Sequence, residues 1–346
     1  MELTNMSNTT IQSLRVIKIN SLVFCIIFLA MASIGMIWNF VLFRTIYKLK
    51  RYHSPTFILM AHMSLSDFIC LTTNFLYIFI STISSYIGIS LILLSILCKI
   101  LIFIAVIAYT TSTQLLIAIS FDRFNTIVQA SHQHTIPYFR KGNNLRNSIL
   151  VIWLAGICMA LPQIWLIDVN PRFPYTCDNR EIHYIFNIFY YSLGFITIYL
   201  IPFIIMALFY AKVILFLRSS FGVNQDKFNY LQRKQEEHKK KEIVHMLIIV
   251  TVLFMLLTFP FAIMLMILSL IGKTLTRIIL YSPHYVIYMM QIAYGLSIIV
   301  CLQSPVCYII FNAQLRQDMI SYVRQCYSFT IFRKGNLVMV TSHNSV

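Results

Sequence analysis

Apolar residues along the 346-residue chain fall into long runs separated by short polar stretches. Seven runs span residues 19–46, 54–83, 95–128, 146–168, 187–217, 239–271 and 281–311. Each reaches the ~20 residues a helix needs to cross a hydrocarbon layer ~30 Å thick. The third run is the best delimited. Cys98 and Lys99 lie near its start, and Ile119-Ser120-Phe121-Asp122-Arg123-Phe124 lies near its end. At ~1.5 Å of rise per residue, Cys98 and Arg123 are ~37 Å apart, so one helix holds them at opposite membrane surfaces. After the seventh run, Leu315, Met319, Val323 and Tyr327 recur at i+4 spacing, with Arg316 and Arg324 elsewhere around the helix. The pattern predicts an all-α membrane protein, a seven-transmembrane helix bundle with a short amphipathic helix on the membrane surface after span seven. The expected organisation is a tail over 1–18, the bundle over 19–311, the surface helix over 312–328 and a disordered tail over 329–346.

Composition changes the picture only by exclusion. With 59% hydrophobic and 11% charged residues and a mean hydropathy of +0.77, the chain is not a soluble domain. The net charge of +16 suggests nucleic acid until its residues are placed. Arg44, Lys48, Lys50 and Arg51 follow span one, and Arg140, Lys141 and Arg146 follow span three. Arg218, Lys227, Arg233, Lys234 and Lys239-Lys240-Lys241 follow span five, and Arg316, Arg324, Arg333 and Lys334 follow span seven. The opposite side holds fewer: Arg15, Lys18, Lys99, Arg172, Arg180, Lys273 and Arg277. This is a topology signal, not a nucleic-acid face, and it places the N-terminus outside and the C-terminus inside. Two acceptor sequons, at Asn5 and Asn8, agree with an extracellular tail open to glycosylation. The first apolar run is much longer than a signal-peptide core and is read as a retained span.

Of eight cysteines, five lie within spans and Cys326 lies in the inner tail, as an acylation site or a plain thiol. Cys98 and Cys177 alone reach the oxidising side, and are expected to pair. Asp67 is the only carboxylate deep inside a span, which marks a functional polar interior; a protonated packing residue is the other reading. Pro162, Pro202, Pro260 and Pro305 interrupt spans four to seven and free backbone carbonyls there.

In chain order the spans carry Asn39; Leu65 and Asp67; Cys98 with Asp122-Arg123-Phe124; Trp153; Pro202 and Tyr210; Phe254 and Pro260; Pro305 and Tyr308. Taken together, one set per span, they resemble the rhodopsin-like (class A) G protein-coupled receptors over residues 19–328. The resemblance implies a receptor without enzymatic activity, no metal centre, and a heterotrimeric G protein, with arrestin, as partners. Asp122, Arg123, Tyr210 and Tyr308 would serve coupling and activation, and Asp67, Asn39, Ser112 and Ser304 would form a polar core holding sodium. The ligand pocket maps onto Ala105, Tyr109, Phe261, Leu265, Gln291 and Tyr294.

Four departures matter. Span seven reads Ser304-Pro305-Val306-Cys307-Tyr308, with a hydroxyl where the family has an amide or carboxylate. Thr258 stands where the family usually has Trp, and Phe124 replaces the Tyr that usually follows Asp-Arg. The inner acid of span six that holds the Arg at rest in many relatives is Lys240, with Glu237 about one turn earlier, so raised basal signalling is expected. Ala105 stands where amine receptors carry Asp, which argues against a biogenic amine. An amphiphilic anion such as a lipid acid, or a peptide, fits an aromatic pocket with a basic rim; a merely solvated rim is the alternative. A secondary transporter is the competing class, but the chain shows no internal repeat and only nine Gly. A membrane enzyme would need metal-ligand spacing that His53, His62 and His245 lack. An opsin would need a span-seven Lys.

Overall fold

The computed structural model describes residues 8–87, 89–129, 136–170, 173–179, 184–219, 230–272, 278 and 282–325. Its long helices are α1 (Asn8–Lys48), α2 (Pro55–Ile87), α3 (Leu91–Phe124) and α4 (Asn144–Ala160). Next comes α5, assembled from Tyr184–Gly194, a π-helical stretch Phe195–Leu200, and Ile201–Ser219. They are completed by α6 (Tyr230–Ile271), α7 (His284–Phe311) and a helix α8 over 313–325. Seven of them are long and apolar enough to cross a membrane. The outward faces carry large apolar side chains such as Ile92, Val151, Phe189 and Leu208. In water such a belt would be a liability; against lipid it costs nothing.

Residues 167–179 depart from an all-helical reading. Beyond the break at Pro162 and a single helical turn Gln163–Leu166, Ile167–Asn170 (β1) and Phe173–Asn179 (β2) form an antiparallel hairpin. Val169 is paired with Cys177 across it. Proline at 162, 171 and 174 excludes a continuous helix there, and the β-branched and aromatic residues between favour pairing. The hairpin is held to α3 by the Cys98–Cys177 disulfide, by Ser95 donating to Asp168 at 2.6 Å, and by Lys99 lying 3.8 Å from Asp168.

α3 is central, packing on α2, α4, α5 and both strands. Three glycines, Gly35, Gly156 and Gly295, set the closest approaches. A Cβ at Gly35 would meet a Leu71 methyl at 2.6 Å, and one at Gly156 would meet the Thr111 hydroxyl at 2.7 Å. The spare backbone groups find partners. Pro305 has no N–H for the carbonyl of Cys301 four residues back, and Asn39 from α1 donates to that carbonyl at 2.8 Å. The Tyr190 hydroxyl donates to the Met159 carbonyl at 2.8 Å, just before the break at Pro162.

α8 corrects the expected membrane-facing stripe. Leu315 and Met319 are fully buried in the main core of the bundle, whereas Val323 is exposed and Tyr327 lies outside the described residues. The helix starts at Asn312, whose side chain accepts from the Leu315 N–H at 3.0 Å. It docks on the turn after α1 through Asp318, which accepts from Arg51 and from the buried Tyr52 hydroxyl. α1 also begins at Asn8, ahead of the expected start at 19. Asn5 and Cys326 lie outside the described residues, and Asn8 and Lys240 are described in backbone only.

Candidate functional site

Three clusters lie along the bundle: a cavity at the Cys98 end, a polar group in the middle, and an ion-paired cluster at the Arg123 end. The cavity measures about 510 Å³, within the range of small-molecule sites. Ala105, Tyr109, Phe261, Leu265, Gln291 and Tyr294 all line it, as do Cys177 and Asp178 from the hairpin. The disulfide therefore fixes one wall of the cavity to α3. The basic rim is another matter. Lys99 is committed to Asp168, and Arg172, Arg180, Lys273 and Arg277 lie outside the described residues. Asp178 is the only acidic or basic side chain among the described wall residues.

Several wall residues were missed by mapping from the sequence. The break at Pro162 turns Gln163 into the cavity, where its Nε2 donates to the Tyr190 hydroxyl at 3.1 Å. The π-helical stretch carries Tyr199 into the wall, and its hydroxyl donates to the Met255 carbonyl at 3.1 Å. Asn74 accepts from the Tyr294 hydroxyl at 2.7 Å, joining α2 to α7. A signal did exist: Asn74 and Gln163 are amides within apolar runs, and the rule that marked Asp67 covers them too.

The cavity floor continues into the core. Tyr109 stacks on the buried Phe254 at 6.2 Å between centroids. Thr258, in the place of a bulky aromatic, is fully buried and turns its hydroxyl to the Phe254 carbonyl at 2.8 Å.

In the middle layer Asp67, Ser112 and Ser304 are all buried. Ser112 donates to Asp67 Oδ1 at 2.8 Å and Ser304 interacts with the same carboxylate, but among the described residues Asp67 Oδ2 and Ser304 Oγ have no partner at hydrogen-bond distance. Asn39 is equally buried but spends its amide on the Gly35 and Cys301 carbonyls, leaving only Oδ1 unpartnered. Unpartnered buried oxygens of this kind suit a small hard cation or water.

At the far end, Thr56 bridges an acid and a base: its hydroxyl donates to Asp122 and accepts from Arg123. Arg123 also lies 3.7 Å from Asp122, and its Nε is buried without a partner. Among the described residues no acid from α6 pairs with Arg123. Tyr210 is buried and bonds with the Thr251 hydroxyl at 3.3 Å. Tyr308 is fully buried with its hydroxyl unpartnered. Neither tyrosine faces outward.

The arrangement has a counterpart among known families. The family model described as "7 transmembrane receptor (rhodopsin family)" matches residues 38–315 of the chain, from α1 to the first turn of α8. The protein belongs to that family, which is one of receptors and not enzymes, and it is a multi-pass membrane protein.

Proposed function

From membership of the rhodopsin family of seven-transmembrane receptors, we propose that this protein is a plasma-membrane receptor that relays an extracellular ligand to a heterotrimeric G protein. The observation that carries the proposal is the placement of two sites at opposite ends of one packed bundle. The cavity lies beneath a disulfide-tied hairpin, and the Asp122-Arg123 cluster lies at the other end, with the Tyr109–Phe254 stack between. A ligand that moves Tyr109 shifts Phe254, which packs in the same core as Tyr210 and Tyr308. The cavity end faces outward with the N-terminus, where Asn5 and Asn8 accept glycans; the basic Arg123 end faces the cytoplasm. Arrestin shares that face, and Cys326 in the inner tail is open to acylation or stays a plain thiol.

The ligand is lipid-like or peptidic: Ala105 offers no partner for a cation at the position where amine receptors carry Asp, and the one acidic side chain of the described wall, Asp178, lies instead on the hairpin. Asp67, Ser112 and Ser304 are the residues that would hold a sodium ion, whose charge would bias helix packing there. Basal signalling is raised because Lys240 supplies no acid to hold Arg123. The transporter reading has no support.

Two measurements in intact cells test the proposal. An N-terminal epitope should be reached by antibody without permeabilisation, while a C-terminal one should not. Energy transfer between tagged Gα and Gβγ subunits should fall, for at least one Gα class, in proportion to receptor expression. Reversed accessibility, or no response from any Gα class, would overturn it.

A further inference from the structure

α6 is held in the bundle unevenly. It packs chiefly against α7, and only lightly against α3 and the inner part of α5, Ile201–Ser219. Its residues Val250, Thr251, Phe254 and Met255, on the Arg123 side of Pro260, are buried. Pro260 has no N–H for the Leu256 carbonyl, so the helix bends there more readily than elsewhere. Among the described residues Arg123 pairs with Asp122 and Thr56, and with no acid of α6. The inner half of α6 therefore needs another restraint.

Side chains from the two neighbouring helices grip it instead. Gln303 of α7 donates its amide to the Val250 carbonyl at 3.1 Å, and Tyr199 of α5 donates to the Met255 carbonyl at 3.1 Å. Tyr210 of α5 shares a hydrogen bond with Thr251 at 3.3 Å. Two of these bonds end on main-chain carbonyls. A carbonyl has two lone pairs, and in a helix one of them serves the N–H four residues on. Letting go of the side chain thus leaves the carbonyl paired, and the grip is released at little cost to α6 itself. Gln303 is the informative member. It is buried in a membrane span with Oε1 unpartnered, a desolvation cost that an apolar residue there would not carry, and its bond to α6 offsets part of that cost. Phe254, which stacks on Tyr109 of the cavity floor, lies between the two gripped carbonyls.

We propose that α6 is latched by a neutral clasp between Val250 and Met255, made by Gln303, Tyr199 and Tyr210, and that release of the clasp lets its inner half swing from Pro260. Gln303 and Tyr199 are positioning residues in this scheme, since they act on a helix and touch no ligand through these bonds. The proposal goes beyond the receptor reading, because it fixes where α6 rests with or without a G protein.

The test uses the full-length protein in phosphatidylcholine nanodiscs, with neither ligand nor G protein present. Cys158→Ala and Cys326→Ala first remove the exposed span-four thiol and the tail thiol. Spin labels on His245→Cys in α6 and Asn147→Cys in α4, both exposed positions, then report the distance between the helices by double electron–electron resonance. One short distance should dominate in this parent. Gln303→Met keeps the reach of the side chain without the donor, and Tyr199→Phe removes only the hydroxyl. Each should raise the ratio of long to short distances about three- to tenfold, the factor expected for one hydrogen bond. Asp318→Ala breaks an interhelical contact that does not involve α6, and should leave the ratio unchanged. That comparison separates release of the clasp from a general loosening, and two near-isosteric variants guard against loss of fold in one. The proposal is overturned if the long distance already dominates in the parent, if either folded variant leaves the ratio at the parent value, or if Asp318→Ala raises it as much. Nucleotide exchange on a G protein is measured alongside. A shifted ratio without any exchange would leave the latch standing and count against the receptor reading alone.

Discussion

Removing the Asn39 side chain should destabilise the bundle by an amount that depends on a proline in another helix. Asn39 Nδ2 donates at 2.8 Å to the Cys301 carbonyl, which lacks a helical partner because residue 305 is proline. Asn39→Ala therefore loses an interhelical bond and leaves a buried carbonyl unpaired. An unsatisfied buried group costs about 1–3 kcal/mol, and hydrogen bonds between membrane helices average about 0.6 kcal/mol. We take about 2 kcal/mol for the single change. In a Pro305→Ala background the new N–H can close the helical bond to Cys301, and Asn39→Ala should then cost only about 0.5 kcal/mol. The coupling energy is thus about 1.5 kcal/mol, well above the ~0.3–0.5 kcal/mol scatter expected of independent sites. Steric trapping of the unfolded chain in bicelles measures all four proteins under one condition. If Asn39→Ala costs the same with and without Pro305, the carbonyl is not what Asn39 serves, and this account of the α1–α7 contact fails.

Other outcomes follow from the same geometry. Cys98→Ser, Cys177→Ser and the double variant should lose surface expression and ligand response equally, because one bond is broken in each; additive losses would contradict the pairing. Asp318→Ala should loosen α8 by about 1–3 kcal/mol, since it orphans the buried Tyr52 hydroxyl, while the half-exposed Arg51 partner adds little. The Tyr52 phenol is pushed up by burial and then by its bond to Asp318, so it remains a donor below its ordinary value of ~10, and this contribution is lost only as pH rises through the higher folded-state value. Hydrogen exchange in α8, corrected for intrinsic rates, should be unchanged between neutral pH and the ordinary phenol range and faster in the variant. Lys240→Glu should lower ligand-free nucleotide exchange several-fold at equal surface expression, since unit charges ~6 Å apart interact by ~3 kcal/mol at an effective dielectric of ~20, less where water and salt screen them. No change, or a rise, would mean that Thr56 and Asp122 restrain Arg123 by themselves.

What was legible in the sequence was what lipid imposes on composition. Seven apolar runs long enough to cross a bilayer could be drawn directly, because charge is excluded from such runs almost regardless of packing. Asp67 and Arg123 stood out on the same ground. Relations between distant segments were harder to read. The α8 spacing was visible, but not the side on which Leu315 and Met319 would be buried; that depends on Tyr52, Arg51 and Asp318 meeting across the end of the bundle. The hairpin at 167–179 is too short for a strong alternation, and it is secured by a disulfide whose partner lies 79 residues away. Gln163 was masked by its neighbour: Pro162 marked a break, and where the next side chain would point depended on Tyr190 of another helix.

The central claim is that a cavity at one end of this bundle governs nucleotide exchange on a G protein at the other. The direct measurement is GDP release from a purified heterotrimer, with the protein in nanodiscs compared with Arg123→Ala and with Ala105→Trp, which places bulk in the cavity wall. The account predicts release above that of empty nanodiscs, loss of the excess in Arg123→Ala, and an altered rate in Ala105→Trp despite its distance from the Arg123 end. Release equal to that of empty nanodiscs for every Gα class, or a rate that neither substitution changes, would contradict it.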